Sequence, residues 1–489
     1  MAVAKLGVVY TPRAVAAQIV ERTLAPLVAG KSADQILALR VCDFAVGEGA
    51  FLVEIVRYLA TAHGGREAKR LVATHCVFGA DLDPAAVASA HAHVEAFAGA
   101  AIPAGHLRTG DALALAWDRF DAVVGNPPYI RQEKLAPATK RALRGYASYD
   151  GVADLYVYFL ELAHRLAREG GRYGVIIPAK WLTAAYARPL RAWLAREGSV
   201  EAIYEAPGAF PDHDAFPCIV VGERGAAHSP RPGGEPWHLD DRADAQIFER
   251  WAALPVLGAS LVPSRGVVTG CNRAFVISGV TRARLLDEDP ACAAWIRPFV
   301  KGRDVRRWRV EPDDRYLLMC DRGGVLPAAI RRHLAPLRAQ LEPGTGRKPG
   351  TYKWYELQDP IGALARSTAP RLFYQDIQTA PACALDTTGL VPDTTVWMLG
   401  TGDRFILAVL NSRLYGWYAR RRFPPALNGA VRPKREYLAR LPLAQPLPAL
   451  RARILELAEL QLAAPTPARD RELDARICAA YGVSGNLIV

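Results

Sequence analysis

No uninterrupted apolar stretch approaches the roughly 18 residues that a membrane-crossing helix requires, although 51% of the chain is hydrophobic. Met1 to Tyr10 lacks the apolar core and cleavage pattern of a secretory signal. The eight cysteines are scattered, with no C-x-x-C pair and no Cys/His cluster at metal-ligand spacing. That pattern argues against a disulfide framework and against a zinc site, so no metal is expected. These absences together point to a reducing cytoplasm and to no membrane partner. A G-x-G-x-x-G run is missing too, which counts against a nicotinamide or flavin dinucleotide fingerprint. There are no internal repeats.

The 489 residues leave room for two or three domains. The formal charge is +12, and its distribution is uneven. Residues 1–225 hold 24 Lys and Arg against 23 Asp and Glu, which leaves 37 against 26 for the remainder. A neutral half followed by a basic half suits a catalytic domain joined to one that binds a polyanion. A solubilising cationic surface is the plainer reading of the same numbers. The Pro- and Gly-rich stretch at 225–237 cannot hold regular structure and reads as a linker. The expected organisation is therefore a first domain over 1–224, the linker over 225–237, a second domain over 238–445 and a helical segment over 446–489.

The stretch that organises the first half is Phe120-Asp121-Ala122-Val123-Val124-Gly125-Asn126-Pro127-Pro128-Tyr129. Ala122 to Val124 reads as a buried parallel strand that runs out into a rigid turn. Two prolines fix their own φ angles and push each preceding residue toward extended geometry, so Asn126 has little freedom. An exocyclic aromatic amine is a poor nucleophile because its lone pair is delocalised into the ring. Acceptors aimed at its two hydrogens localise that pair, and Asn126 can offer a side-chain carbonyl and Pro127 a main-chain one. Tyr129 adds a flat face on which a base can stack. A rigid strand-to-loop turn with a packed tyrosine is the bland alternative.

Upstream, Thr11 and Pro12 open a helical pattern through Val15, Ile19, Val20, Leu24 and Leu27, with Thr11 as N-cap. Arg40 to Ala45 reads as a strand, and Gly47-Glu48-Gly49 turns it into a helix beginning near Ala50. Such a turn presents backbone amides to a ligand. A second strand, Cys76 to Ala80, ends at Asp81. A carboxylate there can accept two ribose hydroxyls, while Asp83 caps the helix that Pro84 opens. Gly110-Asp111 marks a further turn. Leu155 to Leu166 has helical spacing, Arg172 to Pro178 reads as a buried strand, Ala184 to Arg196 as a helix and Cys218 to Val221 as the last strand. The alternation predicts an α/β fold with a mostly parallel, Rossmann-like sheet covered on both faces.

The Asn-Pro-Pro-Tyr run and its continuation Ile130-Arg131-Gln132-Glu133 resemble the fourth motif of gamma-class N6-adenine DNA methyltransferases of the Taq and type IIG kinds. Asp43-Phe44-Ala45-Val46-Gly47-Glu48-Gly49 resembles that family's S-adenosylmethionine loop, departing from it at Phe44, Val46 and Glu48. Gly110-Asp111 resembles the motif whose acid reaches the cofactor's adenine, Tyr10-Thr11-Pro12 the one bordering its methionine end, and Pro178 to Leu182 a further motif. Phe210 matches the aromatic that forms the second wall of the base pocket, with Phe216 the fallback. In the second half, Arg265 to Ile277, Arg297 to Trp308, Tyr352 to Leu357, Leu407 to Leu414 and Arg432 to Pro442 resemble the family's specificity domain, a mixed α/β target-recognition domain.

The resemblance implies a site-specific DNA adenine N6-methyltransferase of a restriction-modification or phage-defence system. Its cofactor is S-adenosyl-L-methionine, held by Thr11, Asp43, Phe44, Ala45, Gly47, Gly49, Asp81, Asp111, Asn126 and Pro127. An adenine rotated out of double-stranded DNA would lie between Tyr129 and Phe210, and Asn126, Pro127, Pro128 and Tyr129 form the catalytic turn. Arg273, Lys301, Arg303 and the run Arg420-Arg421-Arg422 are the expected DNA contacts. A solvated helix end is the other reading of that triple arginine. The protein is expected to be a monomer, and a separate restriction endonuclease of the same system is left open as a partner. Only about ten residues precede Thr11, so no nuclease domain and no DNA cleavage is expected. An RNA adenine methyltransferase, a protein glutamine methyltransferase and a catalytically weak DNA-binding subunit are the rivals.

Overall fold

A computed structural model of the chain describes residues 11–210, 216–226, 228 and 233–485. Two compact units divide it between Leu239 and Asp240, just beyond the linker read from sequence. The end of that linker belongs to the first unit. Trp237 is buried beside Trp181, its amide donates to the Leu182 carbonyl at 2.8 Å, and the Arg191 guanidinium holds the carbonyls of Gly234 and Glu235.

The first unit is built on seven strands: β1 (Val41–Asp43), β2 (Val77–Asp81), β3 (Leu107–Thr109), β4 (Phe120–Gly125), β5 (Ala167–Pro178), β6 (Val200–Glu205) and β7 (Pro217–Glu223). Their order across the sheet is β3-β2-β1-β4-β5-β7-β6, parallel from β3 to β5, with β7 antiparallel to both of its neighbours. The central strands β1, β4, β5 and β7 are buried on both faces over most of their length, and alternate side chains enter different cores. Ala122, Val124, Ile176, Ile219 and Val221 pack with Ile19, Leu52, Ile55 and Ala90, whereas Val123, Val175, Ile177 and Val220 pack with Val157, Leu160 and Leu190.

Helices α1 (Arg13–Val28), α2 (Ala50–His63) and α3 (Pro84–Ala98) supply the first of these cores and α4 (Tyr156–Leu166) the second. Asp83 caps α3 as expected, its Oδ1 accepting from the Ala85 amide at 2.9 Å. The start of α1 differs from the sequence reading. Pro12 occupies the N-cap position, the helix begins at Arg13, and no side chain caps it. β6 is an addition to the strands expected from sequence. Only Val200 of it is fully buried, so it lacks the apolar run that marks its neighbours. The strand order reverses between β1 and β4, which opens a crevice at their carboxyl ends.

In the second unit, Arg371–Gln375 pairs antiparallel with Cys383–Asp386 and Val396–Leu399. A second small sheet joins Ile296–Val300 to Tyr316–Leu318 and Val391–Pro392. The C-terminal helices Pro448–Ala463 and Pro467–Ala480 are not a separate segment. Ile454, Leu457, Leu473 and Ile477 share one core with Leu407, Leu410, Leu414 and Trp417.

Candidate active site

The crevice between β1 and β4 gathers the polar residues of the first unit. Asp43 ends β1 and is fully buried. Its Oδ1 accepts from the Ala45 amide at 3.0 Å, and its Oδ2 meets no donor among the described residues. Burial, partly offset by the Ala45 hydrogen bond, and the nearby Asp81 charge push this carboxyl up to about 8. The turn after β1 needs glycine. Gly49 has φ +88°, and a side chain on it would start 3.1 Å from the Cα of Ala90 on α3. Asp81, at the end of β2, accepts from the Gly47 amide at 2.9 Å and from the Asp83 amide at 2.9 Å, one bond to each oxygen. A carboxylate oxygen has a second lone pair, so both remain able to accept hydroxyls.

Phe44 is buried and Ala45 half-buried, while Glu48 points outward. Asp111 is exposed beyond β3 and turns its own backbone through the Leu113 amide at 3.0 Å. An orphaned buried carboxylate oxygen, a glycine cradle and an outward-facing acid on successive strand ends fit an elongated ligand with a cationic end and a ribose. Among the described residues no cluster of His, Cys, Asp and Glu is arranged to hold a metal ion.

The corner after β4 lies across the same crevice. Gly125 lets it close, because a Cβ there would sit 3.0 Å from both Asp43 Oδ1 and the Phe44 ring. The Asn126 amide donates through Nδ2 to Thr11 Oγ1 at 3.1 Å, which presents Oδ1 away from Thr11. Thr11 therefore meets the Asn126 turn where the sequence suggested a helix cap. No donor among the described residues meets the Pro127 carbonyl.

Tyr129 is held by its hydroxyl, which donates to the Ile176 carbonyl at 3.3 Å, and burial raises that hydroxyl well above the ordinary phenol range. Its ring meets Phe210 at 6.2 Å and 80° and Tyr156 at 6.3 Å and 71°. The two expected walls are thus together but edge to face, the pairing their quadrupoles favour. A base between parallel faces needs ring planes about 7 Å apart, two contact distances, so Phe210 must turn to receive one. Phe216, the fallback, is 43% exposed.

Behind the corner stands a network the motifs did not reveal. Tyr156 and Tyr186 hydroxyls meet at 2.8 Å, Tyr186 reaches Asp154 at 3.4 Å, and Asp154 accepts the Gln132 amide at 3.2 Å. The Leu155 amide closes it onto the Ile130 carbonyl at 3.0 Å. Two tyrosines near a catalytic turn are invisible to sequence spacing because they arrive from α4 and the segment beyond β5.

The residues expected to touch DNA are dispersed in the second unit. Arg273 and Arg420 are exposed, Lys301 is half-buried, and Arg303 is exposed with its guanidinium 3.6 Å from Asp313. Arg421 is ion-paired with Asp244 and lies over Trp417. Arg422 grips both oxygens of Asp240 at 2.6 and 2.7 Å and covers Phe248 at 3.3 Å. The triple arginine is therefore one outward cation and two internal clamps. Asn411, central to one specificity-domain stretch, hydrogen-bonds both the amide and the carbonyl of Cys383, at 2.9 and 2.8 Å.

The first unit is a seven-stranded, mostly parallel sheet covered by helices, and most of the second is similar to a known C-terminal specificity domain. Residues 95–210 match the model of the Eco57I restriction-modification methylase family, and residues 297–443 match that of the TaqI-like C-terminal specificity domain. The type II methyltransferase M.PaeR7I of Pseudomonas aeruginosa is 24% identical over 376 residues, 66% of this chain and 64% of that protein. M.TthHB8I of Thermus thermophilus, another type II methyltransferase, is 30% identical over 172 residues, 33% of this chain and 38% of its own. The chain thus spans less than two thirds of these relatives. Among solved structures, the type IIL restriction-modification enzyme MmeI in complex with DNA superposes with a TM-score of 0.66 at 14% identity, over 97% of this chain and 76% of that one. No helix among the described residues is long and apolar enough to cross a membrane.

Proposed function

We propose that the protein is a site-specific DNA adenine N6-methyltransferase of a restriction-modification or phage-defence system, acting on an adenine rotated out of duplex DNA. The observation that carries this reading is the corner at Asn126 to Tyr129, where an oriented amide, a main-chain carbonyl without a donor and an aromatic face converge beside the Asp43 and Asp81 carboxylates. The type II methyltransferase relatives support DNA as the substrate. The choice of adenine rests on the corner, whose two carbonyl acceptors suit an amine with two hydrogens.

S-adenosylmethionine, when bound, supplies the methyl group on a sulfonium. Asp81 would hold the ribose hydroxyls, Asp43 would face the cationic end, and the Gly47 to Gly49 turn would admit the molecule closely. Asn126 Oδ1 and the Pro127 carbonyl accept from the two hydrogens of N6, which gathers the lone pair on nitrogen and aims it along the line of attack. The sulfonium would be the methyl donor to that nitrogen, and the role of Asn126 and Pro127 is to hold the amine and orient its lone pair. Neither Asn126 nor a neutral Tyr129 is a base, so positioning and exclusion of water supply the acceleration.

Duplex DNA incubated with tritiated methyl donor should carry label on adenine N6. Asn126→Ala should lower turnover on the order of 100-fold or more, as the loss of one preorganised polar partner does elsewhere, while cofactor affinity by calorimetry stays within a few-fold. Label on cytosine, or an unchanged rate in Asn126→Ala, overturns the assignment.

A further inference from the structure

The segment that follows the catalytic corner, 131–144, holds five cations, Arg131, Lys134, Lys140, Arg141 and Arg144, against the single carboxylate of Glu133. It belongs to the half of the chain that is neutral overall. Several arginines elsewhere in that unit are ion-paired: Arg165 with Glu161, Arg168 with Asp121, and Arg172 with Glu201 and Glu223. Those of 131–144 are not. Arg131, Lys134, Arg141 and Arg144 are all exposed, and among the described residues none has a carboxylate within ion-pair distance.

Their backbone is pinned nonetheless. Ile130 and Leu143 are buried at either end. The Gln132 amide donates to Asp154 at 3.2 Å, and Lys140 Nζ reaches back to Gln132 Oε1 at 2.7 Å. Beyond, the Tyr146 hydroxyl donates to the Leu113 carbonyl at 3.1 Å, and the Ala147 and Ser148 amides donate to the Glu161 carboxylate at 3.0 and 2.7 Å. Like charges in one short ordered segment, offset only by the Glu133 carboxylate, repel one another, and a polyanion relieves that repulsion. Arg131 is two residues past Tyr129, at most about 7 Å of backbone away. A nucleotide seated against Tyr129 therefore brings its own flanking phosphates to this arginine.

We infer that the outward cations of 131–144 form a phosphate-gripping surface on the methyltransferase unit itself, which holds the DNA strand on either side of the extruded nucleotide. This deepens the proposed function, since it takes duplex DNA as the substrate. Affinity for DNA is then shared between the units, with the first unit holding the strand being modified.

The test is the salt dependence of duplex binding by the full chain, for wild type and for the triple variant Lys134→Gln/Arg141→Gln/Arg144→Gln. Removing one phosphate partner should flatten the log–log slope by about 0.9, so the triple variant should lose roughly two to three units of slope while its cofactor affinity and circular dichroism stay as in wild type. A charge-preserving variant, Arg141→Lys/Arg144→Lys, should keep the wild-type slope, which separates charge from folding. A triple-variant slope equal to wild type overturns the inference. The two readings fail separately. Methyl transfer with an unmoved slope removes only this surface, and a flattened slope in a protein that methylates nothing removes only the methyltransferase reading.

Discussion

Residues 1–225 balance 24 cations against 23 anions and the remainder carries 37 against 26, yet the cations left without partners do not follow that ratio. In the basic second unit, several arginines are structural. Arg371 is fully buried, with its guanidinium 2.5 Å from Asp386 and 2.8 Å from the Leu390 carbonyl. Arg307 joins Asp470 and the Asn411 carbonyl, Arg432 pairs with Asp376, and Arg421 and Arg422 are clamped. In the neutral first unit, four cations beside the Asn126 corner stand outward. Net charge therefore measures neither where a polyanion can bind nor which unit does chemistry; what counts is the charge left over after the fold has paired its own.

The largest effect expected is on the structural side of this contrast. Arg371→Leu leaves Asp386 buried and uncompensated and should cost about 3–5 kcal/mol of stability in urea unfolding. Replacing both partners with leucine should recover most of that loss, because no charge is then stranded. A single variant that loses less than about 1 kcal/mol, the worth of a surface pair, would break the claim that this unit uses arginine as a core residue.

The first unit has its own buried titratable group, and it fails in the opposite way, by gaining a charge. His164 lies against Trp193 and Tyr173 at ring separations of 4.8 and 5.9 Å. Burial first, then the Arg224, Arg119 and Arg165 charges, lower it from 6.5 to about 4. Between those values the unfolded chain takes up a proton that the folded one refuses. Stability is thus whole above pH 6.5 and falls as the pH drops toward 4, by roughly 3 kcal/mol at one pKa unit per 1.36 kcal/mol. His164→Phe should remove that part of the acid sensitivity. Equal loss in both proteins between pH 6.5 and 4 would show that His164 is not the group responsible.

A smaller effect separates chemistry from cofactor binding at Thr11. If its hydroxyl serves to orient Asn126, Thr11→Val should lower kcat about fivefold, the worth of one hydrogen bond near 1 kcal/mol, and leave cofactor affinity unchanged. Weakened cofactor binding at an unchanged kcat would return Thr11 to the role the motif suggested.

The elements legible in the sequence were those set by local chemistry. Ala122 to Val124 announced a buried strand, the two prolines a rigid turn, Ala50 a helix start after glycine, and Asp83-Pro84 a capped helix. Thr11-Pro12 carried the same capping signature as Asp83-Pro84, but the threonine hydroxyl instead meets Asn126, 115 residues away. Long-range partners decide such cases and leave no local trace. The partners of Arg421 and Arg422 are 177 and 182 residues distant, so a run of three arginines reads as one cationic point until the fold divides it. β6 escapes sequence reading because a strand with mostly half-buried side chains has no apolar run to show.

That division yields the finest test. Arg420 is exposed in the last turn of its helix, whereas Arg422, which ends it, holds Asp240 with both terminal nitrogens. Arg420→Gln should flatten the salt dependence of duplex binding by at most one phosphate's worth, about 0.9 in slope, with no change in the unfolding midpoint. Arg422→Gln should do the reverse, lowering the midpoint because Asp240 and the face of Phe248 lose their cover, while the slope is unmoved. If both variants flatten the slope equally, the Asp240 pair opens when DNA binds, and the second unit's arginines are less tied to its interior than their partners suggest. If neither does, the phosphate contacts of this unit lie with Arg273, Lys301 or Arg303, and the contrast with 131–144 sharpens.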